Sequence, residues 1–150
     1  MTDIQRIRFQ RANSIVADIE RALTFYRDVL GFEVAFTQEH NPASYSFPVF
    51  EIPAEAVLGF CVLSAPGQPR VMALTEIRNV ALPPVRPRRA AIVLEASDPD
   101  AVMAGARSLG LQVYDEETLV TADGRTGREI GIVDFDDNLV VIYRITGTAG

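Results

Sequence analysis

The sequence predicts an α+β fold in which two βαβββ modules follow each other within one domain, residues 1–150. The prediction rests on a length typical of a single domain and on helix signals that recur along the chain. Asp18 and Asp98 are residues that favour the N-cap of a helix, and Gly31 and Gly110 fit the left-handed position just after a helix. These pairs lie 80 and 79 residues apart, so the second half repeats the order of the first.

The first module is expected over about residues 7–64. Residues 7–16 are rich in β-branched and aromatic side chains, which is typical of a strand. From Ile19 to Leu30 the apolar residues recur at the i, i+3, i+4, i+7 spacing of a helix with one buried face. Turn residues at 64–67 predict the end of the module. Three further strands are expected at about 32–39, 44–53 and 57–63.

The second module is expected over about residues 89–146, after a proline-rich linker at about 79–88. Its helix begins after Asp98 with Pro99 at the first helical position, where proline is favoured. A four-stranded sheet with one helix leaves one face uncovered. Two such modules side by side therefore predict a curled mixed sheet around a cup-shaped cavity. Strands are expected at 89–96 and near 111–116, 127–134 and 138–145.

The composition excludes several classes of chemistry. All 14 basic residues are Arg, so the chain contains no lysine for a Schiff base or a phosphate loop. One Cys and one His exclude an internal disulfide and any multi-cysteine zinc site. A net charge of −6 disfavours nucleic acid as a partner, and no apolar run approaches the ~20 residues of a membrane span. The absence of a secretion signal predicts a cytoplasmic protein.

Two stretches carry a resemblance to a known family. The stretch RANSIVADIERALTFYRDVLGFEV (11–34) resembles the opening of the vicinal oxygen chelate superfamily, and IVDFDDNLVVIYR (132–144) resembles its closing hairpin. With EASDPD (95–100), the resemblance covers about residues 7–146. It implies a glyoxalase/bleomycin-resistance-like fold. It leaves the activity open, because that superfamily carries many chemistries on one scaffold.

The resemblance also predicts where metal ligands would stand. The family's ligand positions on the first strands of the two halves and on the closing strand correspond to Arg11, Ala91 and Val141. A fourth ligand would come from the strand at 57–63, which has no acidic residue, His or Asn. Guanidinium and alkyl groups offer a metal no lone pair. The sequence therefore predicts a metal-free member with no cofactor.

Two other features could suggest a metal. His40 stands before a turn and is interpreted as a surface-loop histidine rather than a ligand of a non-standard site. The acidic run from Asp134 to Asn138 lacks the Gly and the distant Glu of a calcium loop, so it is interpreted as a hairpin turn. The cluster of Arg86, Arg88 and Arg89 is interpreted as a solvated linker.

Strand alternation predicts which side chains face the cup. They are Arg11, Asn13 and Ile15 of the first strand, Ala91, Val93 and Glu95 of the fifth, and Leu139, Val141 and Tyr143 of the last. Arg11 is expected either to pair with Glu95 or to bind a ligand oxygen, and the sequence leaves both open. Glu95, as a general base, and Tyr143, as a hydroxyl donor, are the candidate catalytic residues. Cys61 is interpreted as an inert buried thiol. The candidate ligand-binding residues are Arg11, Asn13, Glu95, Val141 and Tyr143.

Three functions fit these predictions. The first is a metal-free module that binds a small organic ligand, aromatic or polyketide-like, in the manner of the family's drug-sequestering members. The resemblance then implies a homodimer. The second is a metal-independent isomerase, cyclase or lyase that uses Glu95 as base. The third, a metal-dependent glyoxalase or dioxygenase, requires ligands that the sequence does not supply.

Overall fold

The structure is a computed structural model that describes residues 6–148. Two four-stranded mixed sheets have the same arrangement, with strand orders β1-β4-β3-β2 and β5-β8-β7-β6. In each sheet the first pair is parallel and the other neighbours are antiparallel, so the predicted α+β fold of two βαβββ modules is confirmed. The elements are β1 (Ala12–Val16), α1 (Ile19–Tyr26), β2 (Glu33–Gln38), α2 (Ser46–Val49), β3 (Val57–Ala65), β4 (Gln68–Arg78), β5 (Ala91–Glu95), α3 (Pro99–Ser108), β6 (Glu117–Val120), β7 (Thr126–Val133) and β8 (Leu139–Gly147).

The two long helices begin where the caps predict. The Asp18 carboxylate accepts a hydrogen bond from the Arg21 backbone N–H at 3.1 Å, and the Asp98 carboxylate accepts one from the Ala101 N–H at 3.1 Å. Each cap satisfies an N–H group that a helix leaves without an internal partner. Neither α1 nor any other helix within residues 6–148 is long and apolar enough to cross a membrane.

One hydrophobic core joins the two modules. It lies on the inner faces of the sheets, which we define as the faces that carry α1 and α3. Phe25 and Tyr26 of α1 are fully buried there, together with Leu74 of the first sheet and Ile142 of the second. A Cβ at Gly105 of α3 would lie 2.9 Å from a methyl group of Val29, so this glycine permits the close approach of the two helical segments.

The first module differs from the sequence prediction in several places, since β1 begins at Ala12 rather than at residue 7 and α1 ends at Tyr26 rather than at Leu30. Residues 44–53, predicted as a strand, form the short helix α2 and turns, and β4 is a strand that the sequence analysis missed. The turn residues 64–67 join β3 to β4 as a hairpin, with Gly67 at φ 69°, and do not end the module. The first sheet therefore extends to Arg78. In the second module, residues 111–116, predicted as a strand, form only a single bridge between Val113 and Ile132, and β6 follows at Glu117–Val120.

The outer faces of the two sheets are covered differently. Residues 39–56, which we call the covering segment, place Phe47 and Ile52 against Leu58 and Ile77 on the outer face of the first sheet. The corresponding face of the second sheet is open, and Val93 of β5 is 63% exposed on it. The covering segment therefore fills part of the cup over the first module, and the cup is accessible at its junction with the second.

Candidate functional site

A cleft of about 720 Å³ lies where the modules and the linker meet. Its apolar walls come from both modules, from the linker and from the covering segment. We call it the inter-module cleft. Such a volume is in the range of small-molecule sites, roughly 300–1,000 Å³. Its lining residues are Ile15, Phe50, Ile77, Leu82, Pro83, Pro84, Val85, Arg88, Arg89, Ala90, Asp136, Asp137, Asn138 and Leu139.

The cleft continues along the edges of β1 and β5. A smaller cleft of about 260 Å³ shares Ile15 and Leu139 with it and is also lined by Asn13 and Ala91. These four side chains belong to the set predicted to face the cup. The Asn138 side-chain amide donates a hydrogen bond to the Ile15 backbone carbonyl at 2.9 Å, which fixes the second module against β1.

A buried carboxylate positions the turn that forms one wall. The Asp134 carboxylate accepts hydrogen bonds from the Tyr26 hydroxyl at 2.7 Å, from the backbone N–H groups of Asp136 and Asn138, each at 2.8 Å, and from the Asn138 side chain at 2.9 Å. Burial, and then the nearby Asp134 charge, raise the pKa of the Tyr26 hydroxyl well above its usual value. The phenol therefore remains a donor, and the turn is tied to α1.

The arginines of the linker form ion pairs at the rim of the cleft. Arg88 donates to the Asp137 carboxylate and to the Tyr114 hydroxyl, each at 3.0 Å, and Arg86 also pairs with Asp137. These hydrogen bonds, from Arg86 above all, lower the pKa of Asp137 to about 2. The interpretation as a solvated linker was therefore wrong for Arg88, whose side chain is only 18% exposed.

Two polar atoms of the cleft residues are incompletely satisfied. Within residues 6–148, the buried side-chain atoms without a hydrogen-bond partner are Arg88 Nε and Asp136 Oδ2. The other oxygen of Asp136 accepts from Arg21 at 3.1 Å. Burial raises the pKa of Asp136, because desolvation disfavours its charged form. Buried polar groups are nearly always paired, so two unpaired atoms among the residues of one cleft single out Arg88 and Asp136.

The structure separates the residues predicted to act together. Asn13 lies at the continuation of the inter-module cleft, where its side-chain oxygen accepts from the Thr75 hydroxyl at 2.9 Å. Glu95 and Tyr143 line a different cleft of about 640 Å³. Glu95 is exposed, and Arg11 is exposed and makes no ion pair with any residue in the described part of the chain. Val141 is half-buried in β8, between its pairing partners Val93 and Gly131.

Sequence reasoning missed several residues of the cleft. Phe50 was assigned to a strand, although it follows α2 and projects to the cleft wall. Leu82 and Val85 lie in the linker, which has no periodic pattern that would place them. The linker did contain one usable signal, the apolar residues Val80, Leu82 and Val85, because a fully solvated linker has few apolar residues.

The donor set does not fit the divalent metal of the resembled family. The register pairs Asn13 with Ala73 and Val93 with Val141, so the closing position of the first module is Ala73 of β4 and not a residue of 57–63. Arg11, Ala73, Ala91 and Val141 offer no lone pair to a metal. Among residues 6–148 no group of three or more His, Cys, Asp or Glu side chains has metal-site geometry. The metal-free assignment stays a prediction, and no chemical step is derived through a metal.

His40 has a structural contact. Its Nδ1 accepts a hydrogen bond from the Leu58 backbone N–H at 2.9 Å, and its ring packs edge-on against Phe47. The imidazole therefore anchors the covering segment to β3. Cys61 lies in the common core, where burial raises the pKa of its thiol.

Comparison with known proteins agrees with this architecture. The model of the Glyoxalase/Bleomycin resistance protein/Dioxygenase superfamily matches residues 8–142. The chain belongs to this superfamily. The match spans both modules and the linker between them. No curated protein sequence matches the chain.

Solved structures of the superfamily share the fold at low sequence identity. A glyoxalase family protein from Bacillus cereus superposes with a TM-score of 0.73 at 14% identity, covering 98% of this chain and 99% of that one. Trypanothione-dependent glyoxalase I from Leishmania major gives 0.63 at 17% identity, with 92% and 86% covered. The fosfomycin resistance protein FosX from Listeria monocytogenes, determined with Mn(II) and sulfate, gives 0.59 at 16% identity, with 91% and 88% covered. These likenesses establish the fold of this superfamily member. They do not identify a ligand.

Proposed function

We propose that the protein binds a small organic molecule in the inter-module cleft. The observation that carries this proposal is an apolar cleft of about 720 Å³ to which both modules contribute, with charged groups concentrated on one wall. Apolar walls with a few convergent polar groups are the usual composition of a small-molecule site.

The apolar surface of the cleft is available to a ligand. Phe50 and Val85 are 42% and 58% exposed, and neither belongs to the core clusters. Ile15, Leu82 and Leu139 extend this surface between them. A flat aromatic or polyketide-like ligand would remove this surface from water, which favours binding by roughly 25 cal/mol per Å² buried. The homodimer implied by the resemblance stays a prediction.

A catalytic role for Glu95 and Tyr143 has less support. Both line a cleft other than the inter-module cleft, and Glu95 is exposed rather than enclosed by apolar side chains. The proposal therefore assigns binding, and no turnover, to the protein.

Titration with naphthylmethanol tests the proposal. The chain has no Trp, so the fluorescence of the naphthyl group can be followed without tryptophan background. Saturable binding is expected, and Phe50→Ala should weaken it about fivefold, because the aromatic wall is lost without a change in the core.

Tyr45→Ala is the matched control. Tyr45 is an aromatic residue of the same covering segment, 78% exposed, and it does not line the inter-module cleft. This variant should bind like the wild type. Equal loss in both variants, or no saturable binding by the wild type, would show that the cleft is not the binding site.

A further inference from the structure

The linker concentrates positive charge at one wall of an acidic protein. The net charge of the chain is −6, yet Arg86, Arg88 and Arg89 lie within four residues of one another beside the inter-module cleft. A single carboxylate, that of Asp137, pairs with both Arg86 and Arg88. Arg89 lines the cleft and has no ion pair with another residue in the range 6–148. Of the two arginines that line the cleft, Arg89 is thus the one without a counter-ion among residues 6–148, and it is exposed.

The second carboxylate of the wall does not cancel this charge. Asp136 already pairs with a different arginine, Arg21, and Phe135 lies under the same guanidinium, 5.1 Å from its ring centre. The charge of Asp136 is therefore matched by Arg21 and not by an arginine of the linker. Around the cleft, three arginines (Arg21, Arg86 and Arg88) thus pair with only two carboxylates, those of Asp136 and Asp137.

The Arg88 guanidinium does not use all of its hydrogen-bond donors. Its two Nη atoms donate to Asp137 and Tyr114, while its Nε–H has no acceptor among the described residues 6–148. An unpaired guanidinium N–H is costly in a region with little water, and an oxyanion is the acceptor that a guanidinium prefers. An anionic group held at Arg89 would lie on the same wall as this donor.

We propose that the ligand of the inter-module cleft is an organic acid, with an apolar body against Ile15, Leu82 and Phe50 and a carboxylate paired with Arg89. The inference rests on the proposed function and specifies its ligand class. A guanidinium and a carboxylate form two parallel hydrogen bonds, which would orient the acid with its charge toward the linker.

Three probes with the same ring test the ligand class: naphthoate, naphthylmethanol and naphthylmethylamine. Their affinities for the full chain should fall in that order. Arg89→Gln should weaken naphthoate binding roughly fivefold and naphthylmethanol binding much less, since only the acid uses the guanidinium.

Arg107→Gln is the matched control, because Arg107 is an exposed arginine in the last turn of α3, away from the cleft lining. It makes the same change in net charge and should leave all three affinities unchanged. An equal effect of both variants would show that overall charge, and not Arg89, sets the preference, and would overturn the proposal.

The remaining outcomes separate this inference from the proposed function. Equal affinity for the acid and the alcohol, with Phe50→Ala still weakening both, would overturn the organic acid and leave the cleft as an apolar site. Preference for the amine would show that Asp136 governs selection and would also overturn it. Insensitivity of every probe to Phe50→Ala would instead overturn the proposed function.

Discussion

The covering segment packs on the outer face of the first sheet at β3 and β4, whereas the outer face of the second sheet has no such cover within residues 6–148. On the outer face of the first sheet, Ile52, Leu58 and Ile77 are 9%, 4% and 5% exposed, while Val93 on the outer face of the second sheet is 63% exposed. The strand order is the same in both. The difference arises in one connection, because β2 and β3 are joined by residues 39–56 and β6 and β7 by residues 121–125.

This difference shows how a repeated module becomes an asymmetric site. Packing of the inner faces is common to both modules and holds them together. The covering segment closes most of one outer face, and its edge at Phe50 becomes a wall of the inter-module cleft. The inner faces therefore determine the fold, and the unequal outer faces determine which part of the cup stays open.

The largest effect on stability is expected for a change at the inner faces that the two modules share. Asp134→Ala removes the acceptor of four hydrogen bonds and leaves buried donors unpaired, so the free energy of unfolding should fall by about 3 kcal/mol or more. Urea unfolding followed by circular dichroism measures it. A single transition is expected because the core is shared.

The control for this change is Asp115→Ala, an exposed carboxylate near the start of β6. Its effect should stay within about 0.5 kcal/mol. Two separate unfolding transitions in Asp134→Ala would show that the modules fold independently and that the shared inner face does not join them.

A pair of truncations tests the outer faces directly. Ile52→Ala should destabilise the protein by about 2–3 kcal/mol, because it leaves a cavity under the covering segment. Val93→Ala, on the exposed outer face of the second sheet, should change stability by less than about 0.5 kcal/mol. Equal losses of stability in denaturant titrations would mean that the two outer faces are buried alike.

The smallest effect is expected for the ion pairs that join the linker to the turn of the second module. The pKa of Asp137 is lowered from its ordinary value of 3.8 to about 2, so its charged form stabilises the folded state above about pH 4. That contribution is lost as the pH falls from about 4 through 2. The melting temperatures of wild type and Asp137→Asn should therefore differ at pH 7 and converge near pH 2. A difference that does not change with pH would contradict the role of the ion pair.

The parts of the fold that depend on local rules were predictable from the sequence. Asp18 and Asp98 cap their helices, Gly31 and Gly110 have positive φ, and strand alternation put Asn13 and Ile15 on the outer face. Each of these depends on neighbours within a few residues. The repeat then placed the second module without further information.

The parts that depend on distant contacts were not predictable. The stretch 44–53 has the apolar pattern of a strand. Its residues Phe47 and Ile52 are instead buried by contact with Leu58 and Ile77, so the segment packs on the sheet without joining it. The turn residues at 64–67 are equally compatible with the end of a module and with a hairpin between two strands, so the local sequence could not distinguish the two. Arg88 looks solvated until Asp137, 49 residues later, is brought beside it.

The covering segment also has a consequence for stoichiometry. A duplicated scaffold with approximate twofold symmetry would offer two equivalent half-sites and could take up two ligands. In this chain Phe47 and Ile52 of the covering segment pack against the outer face of the first sheet and fill part of one of them. Saturation at one equivalent per chain, without cooperativity between the modules, is the expected result.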